Sequence, residues 1–174
     1  MRIRKRLVIC FAALLAGIGF ATPTTAGAAS IPVTCGTQRG GDASILPPVK
    51  VVDVRVGAHP GYDRFVIEFA GDRLPHWEAT PKSGATFYKD PSGMPITLEG
   101  KAGILLVVRP VKSGSYQVPP RSIDFDPEFH QLAEAYRLGD FEGVFSWGLG
   151  LENQSCKRIL ALSSPTRLVI DVPN

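Results

Sequence analysis

Two segments of this 174-residue chain follow almost the same pattern, and both alternate apolar and polar residues with a period of two. The first is "DRFVIEFAG", residues 63–71, and the second is "TRLVIDVPN", residues 166–174. Successive side chains of an extended chain point to opposite faces, so each segment has one apolar face and one face with a charge at either end. This pattern is typical of β-strands that cover a hydrophobic core on one side.

The charged faces also predict how the two segments pair. Suppose that they run antiparallel with Val66 opposite Val169. Arg64 then faces Asp171, and the carboxylate and arginine at the other end of the segments also meet. A parallel pairing would set arginine near arginine, which destabilises a sheet. The sequence favours antiparallel neighbours, with equivalent strands in two similar sheets as the structural alternative and anion binding by Arg64 or Arg167 as the functional one.

Short apolar runs separated by turn residues recur between residues 49 and 172. Val52, Val54 and Val56 are expected to share the inner face of a strand that a Pro-Gly turn joins to the first repeated segment. We expect the other strands near residues 77–82, 95–98, 104–109, 134–138, 141–149, 157–162 and 167–172. Roughly eight to ten short antiparallel strands predict an all-β fold, a β-sandwich with a barrel as the alternative.

Two connections in this scheme depend on local turn chemistry. The sequence Gly-Lys-Ala-Gly at residues 100–103 predicts a hairpin between residues 95–98 and 104–109, and Gly139-Asp140 resembles a two-residue hairpin loop. The segment 127–136 is ambiguous between helix and strand, because Asp126-Pro127 is also a helix-start signal. We therefore expect at most one short helical turn, near residues 127–132.

The first 28 residues have the features of a secretory signal peptide. Four basic side chains precede an apolar stretch from Leu7 to Phe20, and Ala26-Gly27-Ala28 offers the small residues that cleavage needs. The apolar stretch is short for a membrane span. We expect a secreted protein, extracellular or cell-wall associated, with a retained N-terminal anchor as the alternative. Residues 29–48, rich in glycine and proline, would form an irregular arm before a single domain at 49–174.

Removal of the signal peptide changes the charge and cysteine arguments. The chain has 19 Lys and Arg against 16 Asp and Glu, but four basic and no acidic residues lie in the first 28 positions. The remaining 15 basic and 16 acidic residues give a formal charge of −1, so the domain has no cationic excess for nucleic acid. Cys35 and Cys156 remain as an even pair in an exported chain and predict a disulfide.

Motifs for catalysis or metal binding are scarce. The chain lacks His-Glu-x-x-His, Gly-x-Ser-x-Gly and Ser-x-x-Lys, and its three histidines stand apart in sequence. We therefore expect no enzyme activity, no metal site and no cofactor. Exposed aromatic side chains with polar neighbours can instead stack on sugar rings, although core packing is the alternative for Trp147. The residues considered for ligand binding are Tyr62, Asp63, Arg64, Trp77, Tyr88 and Trp147.

Several segments together resemble a known family. They are "RVGAHPGYDRFVIEFAG" (55–71), "DPSGMPITLEGKAGILLVV" (90–108), and "GDFEGVFSWGLGL" with "LSSPTRLVIDV" (139–172). They resemble the AMIN-like domain of secreted actinobacterial proteins over nearly all of residues 49–172. The resemblance implies a β-sandwich of two similar sheets and a non-catalytic module in or beside the cell wall. It transfers no binding residue. The family is named for its similarity to the AMIN domain of cell-wall amidases, but we expect no catalytic domain here, so the module would target itself or a partner.

The residues and the resemblance together lead to one functional hypothesis. We expect a secreted, non-catalytic module of the cell envelope that associates with peptidoglycan or another wall glycan. The first alternative is an envelope adaptor that binds a protein partner through a sheet edge or loops. The second is a small cell-wall hydrolase with a dispersed site, which would need a cleft with convergent acid and base residues.

Overall fold

A computed structural model describes residues 31–116, 123–153 and 156–174, which contain twelve β-strands and no helix. The predicted signal peptide at residues 1–28 lies outside these ranges. The strands are β1 (Gln38–Gly40), β2 (Val51–His59), β3 (Tyr62–Phe69), β4 (His76–Lys82), β5 (Thr86–Tyr88), β6 (Pro95–Thr97), β7 (Ala102–Arg109), β8 (Asp124–Phe125), β9 (Leu132–Phe141), β10 (Val144–Leu151), β11 (Arg158–Leu162) and β12 (Thr166–Pro173).

Two antiparallel sheets pack face to face. One has the strand order β1-β4-β7-β10-β9-β8, and the other has the order β11-β12-β3-β2. Their inward side chains form one core, in which the rings of Phe65 on β3 and Trp147 on β10 lie 5.2 Å apart between centroids. The predicted all-β sandwich is confirmed, with a few more short strands than the eight to ten expected.

The two repeated segments are β3 and β12, neighbours at the centre of the four-stranded sheet. Val66 lies opposite Val169 and Arg64 opposite Asp171, so the predicted antiparallel register is confirmed. The Nε and Nη2 groups of Arg64 donate to the two carboxylate oxygens of Asp171 at 2.6 and 2.9 Å. The inward alternation also holds, since Val66 and Val169 are buried outside the core between the sheets, whereas the following side chains belong to it: Phe65, Ile67, Phe69, Leu168, Ile170 and Val172.

Strand β2 departs from the predicted alternation. Val52 was expected on the inner face with Val54 and Val56, but it is 52% exposed, and Val51 is buried instead. The register shifts between Val51 and Asp53, which marks a β-bulge. One extra residue in the strand moves every preceding side chain to the other face.

The predicted hairpin of residues 95–98 with 104–109 is wrong. Strand β6 pairs with β5, and together they form a small separate sheet within what we call the covering hairpin, residues 83–101. Strand β7 instead lies between β4 and β10, where both of its edges are paired. Its continuous apolar run fits this position, because the inner face enters the core and Leu105 on the outer face packs beside the covering hairpin.

Glycines on β10 let the covering hairpin lie directly on the outer face of the six-stranded sheet. A Cβ atom at Gly150 would lie 2.1 Å from the carbonyl oxygen of Glu99, and one at Gly148 would lie 3.0 Å from the Phe87 ring. Leu149 and Leu151 on the same strand are buried in the core. The Gly-Leu-Gly pattern therefore serves two packed faces at once.

The segment around β9 also differs from the prediction. Residues 127–131 adopt neither helix nor strand, so the expected helical turn near 127–132 is absent. The β9–β10 turn lies at Glu142-Gly143 rather than Gly139-Asp140, and both turn residues have positive φ, 47° and 81°, as a type I′ turn requires. Gly139 stays within β9, where a Cβ would lie 2.7 Å from Cβ of Asp90 in the covering hairpin.

The N-terminal arm is tied to the sandwich. Strand β1 pairs with β4, and the backbones of Thr34 and Lys157 form an antiparallel bridge. The predicted Cys35–Cys156 disulfide is confirmed. Beside it, the buried Lys157 Nζ donates to the Gly36 carbonyl at 2.8 Å, and burial lowers the pKa of this ammonium group.

Candidate functional site

The six residues considered for ligand binding lie in three separate places. Tyr62 and Arg64 are on the outer face of the four-stranded sheet, and Tyr88 is on the covering hairpin. Three more are buried: Asp63, Trp77 and Trp147. The structure therefore does not gather the six residues into one surface.

Tyr62 and Arg64 contact neighbours on their own sheet. The Tyr62 ring stacks on His59 with centroids 4.8 Å apart and an interplanar angle of 17°. The guanidinium carbon of Arg64 lies 5.0 Å from the centroid of the same ring, while its nitrogens bind Asp171. The bond to Asp171 raises the pKa of Arg64. The Tyr62 ring and the Arg64 charge are therefore both engaged in contacts within the domain.

Asp63 joins the sheets from the inside. Its Oδ2 accepts hydrogen bonds from the backbone N–H groups of Gln131 and Leu132 at 2.6 and 3.0 Å. The carboxylate therefore supports the start of β9, where a register shift between Gly150 and Leu151 interrupts the regular pairing with β10. The aspartate of the Gly-Tyr-Asp-Arg segment (61–64) thus has a structural role within the domain.

The two tryptophans are part of the core. The Trp147 ring lies among aromatic neighbours, 5.2 Å from Phe65 and 6.0 Å from Phe145 between centroids. Trp77 packs against β1, since a Cβ at Gly40 would lie 2.9 Å from its ring. For Trp147, the core position considered from the sequence is the one observed.

The outer face of the six-stranded sheet has a different character beside the covering hairpin. A recess of about 440 Å³, here called the hydroxyl recess, opens between the end of β4 and β5. It is lined by Thr80, Pro81, Lys82, Ser83, Gly84, Thr86 and Leu105. Three hydroxyl groups, one ammonium group and two apolar side chains can contact the hydroxyls and the ring face of a sugar.

Hydrogen bonds orient two of these hydroxyls. Thr80 Oγ1 donates to Glu78 Oε1 at 3.1 Å, so its lone pairs remain able to accept. The hydroxyls of Thr86 and Thr97 lie 3.0 Å apart across the β5–β6 pair. The hydroxyl recess therefore presents both donors and acceptors.

Tyr88 extends this surface along the covering hairpin. It lies two residues after Thr86, on the same face of β5, and is 66% exposed. Two residues of a strand span about 7 Å, which is close to the size of a sugar ring. Tyr88 is therefore the exposed aromatic side chain, among those considered from the sequence, that lies next to a recess.

A second recess adjoins the first. It has a volume of about 510 Å³ and shares Pro81, Lys82 and Ser83 with the hydroxyl recess. We call it the lysine recess, because its lining also includes Lys101. The remaining lining residues are Cys35, Ala102 and Asn153. Its polar groups are thus two ammonium groups, the Ser83 hydroxyl and one side-chain amide, with Cys35 of the disulfide at one wall.

The covering hairpin is held in place by its own backbone. The amides of Asp90 and Lys101 donate to the carbonyls of Leu138 and Leu151 at 2.9 and 2.8 Å. The Glu99 amide donates to Glu134 Oε2 at 2.7 Å. Burial, and then the negative charges nearby, raise the pKa of Glu134. Both recesses therefore have one wall fixed to β9 and β10.

Sequence reasoning missed Lys82, Lys101 and the threonines. The alternation of "HWEATPK" places Thr80 and Lys82 on the face of the strand that Trp77 does not occupy, and this was the only available signal for their position. Lys101 directly precedes β7, and the pairing of Lys82 on β4 with Gly103 on β7 brings it close to β4. The sequence alone shows no such proximity.

No metal-binding cluster and no membrane-spanning helix occurs among the described residues. In the described ranges, no cluster of three or more His, Cys, Asp or Glu side chains could hold a metal ion. None of the described residues belongs to a helix long and apolar enough to cross a membrane.

The fold is a β-sandwich domain in which two adjoining open recesses lie beside the covering hairpin. A family model, the AMIN-like domain, matches residues 49–174, and the chain belongs to this family. The resemblance noted from the sequence is thereby confirmed. Family membership relates the chain to the cell wall and to non-catalytic envelope modules. No curated protein and no solved structure shows a significant match.

Proposed function

We propose that this protein is a secreted binding module of the cell envelope that associates with peptidoglycan or another wall glycan through the hydroxyl recess and Tyr88. The observation that carries the proposal is the position of the exposed Tyr88 beside a recess rich in hydroxyls. Sugar rings are bound by aromatic faces together with polar groups that contact their hydroxyls. Family membership supports the envelope as the location.

Secretion is part of the proposal. The signal-peptide pattern of residues 1–28 and the Cys35–Cys156 disulfide both agree with export to an oxidising compartment. The binding role also agrees with the shapes available, because both recesses are shallow and neither brings together an acid and a base residue beside a nucleophile.

Sedimentation with purified peptidoglycan tests the function. The chain from residue 29 onward is incubated with sacculi, with and without an excess of soluble muropeptides, and the bound fraction is measured after centrifugation. We expect retention that soluble muropeptides reverse. If no protein sediments with the sacculi, the glycan proposal fails and a protein partner becomes the better hypothesis.

A matched pair of aromatic variants tests the site. Tyr88→Ala removes the exposed ring beside the recess, and we expect affinity to fall roughly three- to tenfold. Phe141→Ala is the control, because Phe141 is also exposed but lies at the β9–β10 turn, outside both recesses. Equal retention of the two variants would move the site away from the covering hairpin without removing the function.

A further inference from the structure

Strand β2 lies at one edge of the four-stranded sheet, and only the beginning of this edge is covered. Among the described strands, β2 pairs with β3 alone. The chain after β7 covers its beginning, since the Lys112 N–H donates to the Val49 carbonyl at 2.7 Å and the Val51 N–H donates to Ser115 Oγ at 3.1 Å. Beyond the bulge, no other described segment bonds to the outer side of the backbone of residues 53–59, here called the free edge.

The backbone groups of the free edge alternate in direction. His59 and Tyr62 flank the two-residue Pro-Gly turn, and such a pair exchanges both of its backbone hydrogen bonds. Every second residue back along β2 bonds to β3 in the same way. The N–H and C=O groups of Val54, Val56 and Ala58 therefore point away from the sheet, where they form a template for another strand.

A second copy of the chain fits this template in one register. A two-fold axis at Val56 pairs Val54 with the partner's Ala58, so all three outward residues of each copy form bonds, about six in total. An axis at Arg55 would set two arginines opposite each other, which destabilises a sheet. An axis one residue nearer the turn would set Val54 opposite the partner's Pro60, which has no N–H.

The side chains of the free edge also suit pairing with their own copy. In this register Asp53 lies opposite the partner's His59, whose imidazole can donate a hydrogen bond to a carboxylate. Val56 is half-buried and Ala58 is exposed, and both lie on the core-facing side of β2 with Val54. The partner strand covers these apolar groups. Complementary polar ends and an apolar centre therefore indicate a second copy as the occupant.

We infer that the protein forms a two-fold dimer in which the free edges pair about Val56 and join the two four-stranded sheets into one continuous sheet. This dimer goes beyond the proposed function, because its formation needs no ligand. The contact is short and lies at the weak end of specific interfaces, so we expect a dissociation constant of about 10 to 100 µM. Each dimer carries two hydroxyl recesses, and a polymer of repeated units can bind both.

Sedimentation equilibrium of the chain from residue 29 onward tests the dimer at protein concentrations from about 1 to 500 µM. We expect the average mass to rise from that of one copy toward that of two. Ala58→Pro removes an outward N–H without removing a bond to β3, so this variant should stay monomeric over the whole range. Thermal unfolding checks that the variant remains folded.

The matched control is Ala161→Pro on β11, the edge strand at the other side of the same sheet. Ala161 is also exposed. Lys157 bonds to the N-terminal arm on the outer side of β11, and the N–H of Ala161, four residues further on, points the same way. The two variants therefore make the same change at opposite edges, and Ala161→Pro should dimerise like the unmodified chain.

Hydrogen exchange of the unmodified chain locates the contact without a substitution. The amides of Val54, Val56 and Ala58 should exchange more slowly as the protein concentration rises, because they become bonded only in the dimer. The amide of Ala161 should exchange at a rate that does not depend on concentration.

Three results would overturn the dimer. They are a monomer mass at every concentration, an equal loss of association in Ala161→Pro and Ala58→Pro, and concentration-dependent protection on β11 instead of β2. These measurements involve no glycan. The dimer can therefore fail while sacculus binding stands, and sacculus binding can fail while the dimer stands.

Discussion

The outer faces of the two sheets differ in how they use charged side chains. On the four-stranded sheet, Arg64 and Asp171 form a two-bond pair, and Arg55 binds carboxylates on β2 and β3. On the six-stranded sheet, the covering hairpin occupies a strip of glycines, and lysines and hydroxyls line the recesses at its border. On the first face, Arg55, Arg64 and Asp171 are already paired within the domain, whereas the second face offers groups that a ligand can bind.

The largest effect is expected where the covering hairpin meets β10. Gly150→Ala places a Cβ 2.1 Å from the Glu99 carbonyl oxygen, so the hairpin must move. Overpacking of this kind costs about 3 kcal/mol of unfolding free energy. Urea denaturation measures the loss, and sacculus binding should fall with it. Gly57→Ala on β2, outside both recesses, is the control, because its Cβ would make only an ordinary contact, 3.6 Å from Nε2 of His59. A Gly150→Ala domain as stable as the control would contradict the observed docking.

The next effect concerns the paired face. Asp171→Ala leaves Arg64 without its carboxylate in a largely buried position and should cost about 2 kcal/mol, less than a fully buried pair because Arg64 keeps some solvent contact. Exchanging the two residues, Arg64→Asp with Asp171→Arg, should recover most of this loss. Glycan affinity should not change. A double variant that loses the sum of both single losses would refute the cross-strand pair.

A smaller effect is expected between the sheets. Asp63→Asn keeps an oxygen for the amides of Gln131 and Leu132 but removes the negative charge, and the hydrogen bonds lose about 1 kcal/mol. Hydrogen exchange of those two amides should become faster while exchange in the covering hairpin stays the same. Unchanged protection of both amides would show that the carboxylate does not hold β9.

The smallest effect is a pH dependence at the covering hairpin. Because the folded pKa of Glu134 is raised, the folded domain binds this proton more tightly, and stability falls as pH rises from 4.5 through the folded pKa. Glu134→Gln removes this fall and keeps an acceptor for the Glu99 amide. We expect a slightly higher melting temperature at pH 7 and no difference at pH 4. A variant less stable than the original at pH 7 would contradict the assignment.

The pairing of β3 with β12 could be predicted because the evidence for it lay within the two segments themselves. The period of two identified the strands, and opposite charges at matching ends identified the antiparallel register. The bulge at Val52 could not be predicted, since one extra residue leaves the apolar composition of β2 unchanged. The β9–β10 turn was misplaced because Gly139-Asp140 and Glu142-Gly143 are both plausible turns. In the structure Gly139 pairs with Ser146 within the ladder and packs against Asp90.

The candidate site was less predictable than the fold. Aromatic character drew attention to Trp147, but composition does not distinguish a buried ring from an exposed one. Lys82 and Lys101 lie close together because β7 pairs with β4, with Lys82 opposite Gly103, instead of with β6. The recess chemistry therefore depends on a pairing that local turn signals predicted incorrectly.

The sequence by itself determined most of the longer strands, the core-facing side chains of β3 and β12, the disulfide partners and the family. These features follow from the alternation of apolar and polar residues, from the positions of charges and from the number of cysteines, all of which can be read directly from the sequence. Only the tertiary structure decided that the covering hairpin lies on the glycines of β10 and that two lysines share a recess beside it. Such contacts join distant segments, and their energies arise when the surfaces are packed together.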